Sequence, residues 1–171
     1  NVLMKNGIKV VANNYASSNV DMPTMPLDIL SVFNNDNSVV VFDVGGDDDG
    51  ALALGQYKQY FDKYGYEMHF IVNTKRPLTR TNDELIEIAE RIESASRLKF
   101  TDIYNNTNLS DQTDETTLFS GYDEIKMLSK KMGIVIKKNC GIDKALSNVP
   151  TNLKDTVFRM NICILRPWEI Q

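Results

Sequence analysis

The chain has 171 residues, 42% of them hydrophobic and 25% charged, with a formal net charge of -4. That is enough for one globular domain with its own core, and the negative balance argues against a general nucleic-acid binder. No apolar run approaches the roughly 20 residues of a membrane span, no secretory leader is visible, and the first residue, Asn1 in place of Met, suggests a portion of a longer protein.

Strand-like and helix-like segments alternate along the chain. The turn at Asn6-Gly7 precedes a short strand over 8–12, and the longest irregular stretch, 17–26, follows. Pro26 opens a short helix over 27–33. Residues 39–44 carry Val39, Val40, Val41 and Phe42 without alternation, the pattern of a strand buried on both faces. A helix over 51–64 ends at Gly65. A strand over 66–73 puts Met68, Phe70 and Val72 on one face. Thr81 or Asn82 caps an amphipathic helix over 83–98, whose stripe is Leu85, Ile88, Ala89 and Ile92.

A strand over 100–104 follows, then a helical segment over 114–132 stopped by Gly133 and a strand over 134–137. A weak helix over 151–158 leads to a strand over 160–165. The alternation predicts an α/β fold: a mostly parallel sheet with helices on both faces, in a single domain over 1–171.

The centre of interest is the end of the third of these segments. Asp43 closes the apolar run, and Gly45 and Gly46 follow. A carboxylate at the carboxyl end of a parallel strand lies where open α/β sheets bind ligands. It can hold Mg²⁺ directly or through water, and bare glycine backbone can approach a phosphate. A polar turn after a buried strand gives the same pattern. The acidic run Asp47-Asp48-Asp49 is read as a helix start, where negative charge meets the positive end of the dipole. Lys75 and Arg76, with Arg80 nearby, form a basic loop at a strand end, suited to an anion or to plain solvation.

His69, the single histidine, falls inside a strand and is read as structural. Cys140 and Cys163 form no Cys-x-x-Cys pair and are read as reduced thiols of a cytoplasmic protein. Trp168 is read as a core or edge anchor. The sequons at Asn105 and Asn108 are read as chance.

The run from Phe42 to Tyr57, Phe-Asp-Val-Gly-Gly-Asp-Asp-Asp-Gly-Ala-Leu-Ala-Leu-Gly-Gln-Tyr, resembles the Walker B and switch II region of ParA/MinD-like P-loop ATPases. Two later runs agree in order: Phe70-Ile71-Val72-Asn73-Thr74-Lys75-Arg76-Pro77, and Ile103-Tyr104-Asn105-Asn106-Thr107-Asn108-Leu109. The resemblance covers the chain from about Gly7 onward. It implies a P-loop NTPase-like fold, ATP or ADP with Mg²⁺ as ligands, and a homodimer coupled to the nucleotide state. It makes Asp43 the organiser of Mg²⁺ and of the attacking water, and gives Gly45 and Gly46 the sensing of the γ-phosphate.

Asn105 or Asn106 would meet the base, since an amide matches the donor and acceptor edge of adenine. The family opens with a strand and a Gly-x-x-x-x-Gly-Lys-Ser/Thr loop, and this sequence has no Gly-Lys pair. The chain is therefore expected to be inactive alone, with a gap in its sheet that invites pairing with another copy. The alternatives are a non-catalytic interaction or oligomerisation module on a degenerate scaffold, and a different Mg²⁺-dependent phosphotransfer fold using Asp43.

Overall fold

The computed structural model describes residues 2–11, 27–34, 38–46 and 48–162. The readings for residues 12, 17–26 and 163–165, and those for Asp47, Cys163 and Trp168, lie outside them. The chain divides into two compact units: Asn1–Tyr66 with Ser94–Arg97, and Glu67–Glu93 with Leu98–Gln171. Among the described helices, none is long and apolar enough to cross a membrane.

The first unit carries α1 (Val2–Lys5), a 3-10 helix at Leu27–Asn34, α2 (Asp48–Gly55) and α3 (Lys58–Tyr64). Residues 8–11, expected in a strand, have no regular structure. The expected helix over 51–64 is two helices, broken at Gln56 and Tyr57. Gly65, at φ 78°, ends α3 and its N–H returns to Phe61 O, the left-handed step that favours glycine. Aromatic rings make the centre of this unit: Phe33 lies 4.7 Å from Tyr60, 5.6 Å from Phe61 and 5.9 Å from Phe42 between ring centroids. Gly55 is needed for contact, because a Cβ there would stand 2.9 Å from Ala95 O.

One expectation is corrected here. Residues 39–44 are not a buried strand: they have no regular secondary structure, and Val39 is 94% and Val41 85% exposed. An apolar β-branched run forms a strand only when a neighbouring strand takes up its backbone and its side chains. Among the described residues no strand pairs with it.

The second unit is an α/β structure with four parallel strands: β1 (His69–Val72), β2 (Asp102–Asn105), β3 (Val135–Gly141) and β4 (Val157–Arg159), in the order β1-β2-β3-β4. The crossovers are helical, as parallel strands require. Helix α4 (Asn82–Ser96) joins β1 to β2; α5 (Glu115–Phe119) and α6 (Tyr122–Met132) join β2 to β3. Two 3-10 helices, Asp143–Leu146 and Thr151–Thr156, join β3 to β4. The last strand among the described residues thus lies at Val157–Arg159, residues 160–162 of the predicted 160–165 have no regular structure, and the segment before the strand is 3-10.

Local signals place the helix ends. Thr81 Oγ1 accepts from Glu84 N at 3.3 Å, while the Glu84 carboxylate accepts from Thr81 N at 3.0 Å and Arg80 N at 2.8 Å. This is a capping box, and the backbone donors hold the Glu84 carboxyl below its usual range. Leu85, Ile86, Ala89 and Ile92 are the buried stripe of α4, with Ile86 in place of the expected Ile88. Gly133 closes α6 at φ 71°.

The core includes Ile103, Leu118, Ile125 and Leu128, all fully buried, and a stacked pair, Phe70 and Phe100, at 4.7 Å. In β1, Phe70 and Val72 are buried while His69 and Ile71 face outward.

Helix α6 begins at Gly121, whose missing Cβ admits Thr74 from the loop after β1. An added Cβ would lie 2.2 Å from Thr74 Oγ1 and 2.6 Å from Thr74 Cβ. Gly121→Ala is expected to destabilise the protein by about 1–3 kcal/mol through overpacking, read as a lower urea midpoint with an unchanged slope.

Candidate functional site at the carboxyl ends of the strands

Because all four strands run the same way, their carboxyl ends form one rim, the place where α/β sheets take ligands. Amides and hydroxyls build it. Asn105 closes β2 and is fully buried. Its Nδ2 donates to Leu118 O at 3.1 Å and to Asn139 Oδ1 at 3.0 Å, and its Oδ1 accepts from Thr107 N at 3.1 Å. Asn139, its neighbour across the register in β3, donates onward to Thr156 Oγ1 at 2.8 Å. Asn73 stitches the two adjoining loops together. Its Oδ1 accepts from Lys75 N at 3.0 Å and Asn108 N at 3.2 Å, and its Nδ2 donates to Asn108 O at 3.2 Å.

Asn106 behaves differently. Its backbone N–H donates to Val72 O at 2.8 Å, and its carbonyl accepts from Asn108 Nδ2 at 2.7 Å. Its side-chain Oδ1 is buried and has no hydrogen-bond partner among the described residues. A buried acceptor left unmatched costs about 1–3 kcal/mol, and such atoms are few in native proteins. Asn106 is one of the residues lining a cavity of about 240 Å³, with Asn108, Thr113, Cys140, Ile142 and Met160. Burial pushes the Cys140 thiol up to about 11, so it stays protonated and is no nucleophile at neutral pH.

The predicted residues separate into two groups. Asn105 and Asn106 stand on the rim in the second unit. The amide of Asn105 is spent on the fold, while the Asn106 Oδ1 is buried with no hydrogen-bond partner among the described residues. Lys75 and Arg76 are exposed in the loop after β1, and Arg76 N donates to Asn73 O at 3.1 Å. Asp43, Gly45 and Gly46 are exposed in the first unit, in the stretch without regular structure. Asp48 and Asp49 open α2, as a helix start requires. The sequon asparagines serve the fold: Asn105 is inaccessible, and the Asn108 amide is held by Asn106 O and Ser110 N.

Sequence reasoning passed over Asn139, and read Cys140 only as a reduced thiol without placing it at the rim. The signal was present, since Asn139-Cys140-Gly141 is a polar and small ending to a strand.

A second cluster sits at the opposite, amino ends of the strands. His69 Nδ1 meets Asp102 Oδ1 at 2.5 Å, Glu67 Oε2 lies 3.8 Å from His69 Nε2, and Asp102 is buried. These three are the only such His and carboxylate group among the described residues. Lys137 Nζ already stands between the acids, 2.6 Å from Glu67 and 3.2 Å from Asp102, and these partners hold its ammonium well above the usual range. The cation of this cluster is therefore the protein's own, and an ion would have to displace it. The expected structural role of His69 fits this arrangement.

Comparison with protein-family models, with curated proteins and with solved structures finds no match. The site's chemistry is read from its geometry alone.

Cys140 provides a check on that geometry. Its folded value of about 11 exceeds the 9.0 of a free thiol. This contribution to stability is complete below pH 9 and is lost as the pH rises through 11. In a Cys163→Ser background, Cys140 is expected to react with iodoacetamide at pH 8 at least about tenfold more slowly than in the urea-unfolded chain. Equal rates would mean that the thiol is not shielded.

Proposed function

We propose that this chain is the base-binding part of a nucleotide-binding protein of ParA/MinD type, with the adenine edge taken at Asn106. One observation carries the reading: a buried amide oxygen without a donor, at the carboxyl end of a parallel strand, beside a cavity. An acceptor there calls for a ligand N–H. The exocyclic amine of adenine supplies one, whereas guanine presents an oxygen at the same edge. Asn105 and Asn139 hold the strand end that carries Asn106, and Thr74 and Asn73 fix the adjoining loop.

Two further features agree with this reading. The sheet of the second unit is parallel and in consecutive order. The run before Asp43 lies bare, as expected if the strand and phosphate loop that precede it in the family are missing from this sequence.

Bound Mg-ATP would bring its own electrophilic phosphorus and a divalent charge to the site. The chain offers no cradle for them: the Gly-Lys-Ser/Thr loop is absent from the sequence. Among the described residues, Asp43 belongs to no group of three or more His, Cys, Asp or Glu side chains placed to share a metal ion. No hydrolytic step is assigned to these residues alone. Asp43, Gly45 and Gly46 keep their proposed roles only where a phosphate loop is supplied.

Titration of the full chain with adenosine, followed by amide NMR, should give millimolar binding with shifts at Asn106, Asn108 and Gly141. Guanosine should give none. Asn106→Leu should weaken adenosine binding about tenfold, the loss of one well-placed hydrogen bond at about 1.4 kcal/mol. Equal binding of the two nucleosides would refute the assignment. In a longer form carrying the phosphate loop, Asp43→Ala should abolish ATP turnover and leave the circular dichroism spectrum unchanged. Retained turnover in that form would remove Asp43 from the mechanism.

A further inference from the structure

The cavity lined by Asn106 carries no charge. Among its lining residues there is no Asp, Glu, Lys, Arg or His. The loop after β2 supplies Asn106, Asn108 and Thr113, and the chain just after β3 and after β4 supplies Ile142, Met160 and Ile162. Cys140, which also lines it, is kept protonated by burial and adds no charge. Donors on the polar side are engaged within their own loop: Asn108 Nδ2 donates to Asn106 O at 2.7 Å and Thr113 Oγ1 to Ser110 O at 2.5 Å. The unmatched atom of Asn106 is an acceptor. An anion brought in here would lose its water and meet that oxygen, with no cation in return, which is the costly case of a buried charge left unpaired. A neutral ligand with an N–H escapes that cost. Size agrees, since about 240 Å³ lies below the roughly 300–1,000 Å³ of pockets for drug-sized ligands and suits a base more than a whole nucleotide.

We infer that the cavity selects an uncharged, base-sized ligand, adenine or adenosine, and that phosphates on the ribose add nothing to binding by this chain. This rests on the adenine reading of Asn106 and narrows it from nucleotide to nucleobase and nucleoside. Phosphates would project from the cavity into water. Lys75 and Arg76 are exposed and stand outside the lining, and attraction between exposed charges is weak and screened by salt.

Amide NMR titrations of the full chain with adenine, adenosine, AMP and ATP, read at Asn106 and Gly141, test this. The four dissociation constants should agree within about threefold, and raising NaCl from about 50 to about 500 mM should not move them. A cation added to the lining should create the missing preference. Ile162 is 50% exposed, so a lysine there leaves the core untouched, and Ile162→Lys should bind AMP about tenfold more tightly than adenosine. If the unsubstituted chain binds ATP about tenfold or more tightly than adenosine, with an affinity that falls as salt rises, the inference is overturned, while a preference for adenosine over guanosine still upholds the adenine reading. Guanosine bound as well as adenosine removes the adenine reading and this inference with it. Ile162→Lys that treats AMP and adenosine alike places the ligand elsewhere and overturns the inference as well.

Discussion

The rim of the sheet rests on a pair of buried amides, Asn105 and Asn139, relayed to the partly buried hydroxyl of Thr156. Strands in a parallel sheet end where their crossovers begin, and the chain must turn away there without losing backbone hydrogen bonds. Asn105 solves this for β2. Its Oδ1 accepts the N–H of Thr107, turning the chain just after the strand, and its Nδ2 reaches Leu118 O in α5 and Asn139 in β3. With that turn in place, Asn106 N bonds back to Val72 O. Asn73 then closes the neighbouring loop over Asn108. The cavity is a consequence of these bonds, and Asn106 is the member of the set whose side-chain oxygen they leave over.

Readability from sequence follows the range of the interaction responsible. Helix ends depend on residues within one turn, so a cap at Thr81 or Asn82 and the glycine stops at 65 and 133 could be read directly. The α/β alternation could be read as well, because each strand and helix of the second unit carries its own periodicity. The breaks inside the two longer helical segments were hidden. At the one at Gly121, Thr74, 47 positions earlier in the chain, occupies the space a Cβ would need.

The misreading at 39–44 has the same origin. Hydrophobicity and β-branching state what a segment prefers, and a strand's burial is decided by what lies beside it. Three valines with no adjacent strand among the described residues become exposed surface. The ion cluster of Glu67, His69, Asp102 and Lys137 was equally out of reach, since it joins side chains from separate strands and the segment leading into β1.

The two adjacent asparagines mark the limit most clearly. From sequence both are amides at a strand end, and either can face a ligand. Successive residues point to opposite sides, so at most one of them serves the interior. The structure gives that place to Asn105, where the oxygen and the amide nitrogen all find partners in the fold. Such a residue stabilises the site and has nothing left with which to recognise a ligand. Asn106 keeps a buried acceptor unmatched, which is costly in the free protein and becomes favourable once a donor arrives. The difference between the two lies in this leftover valence and not in residue type, and it exists only after the chain has folded.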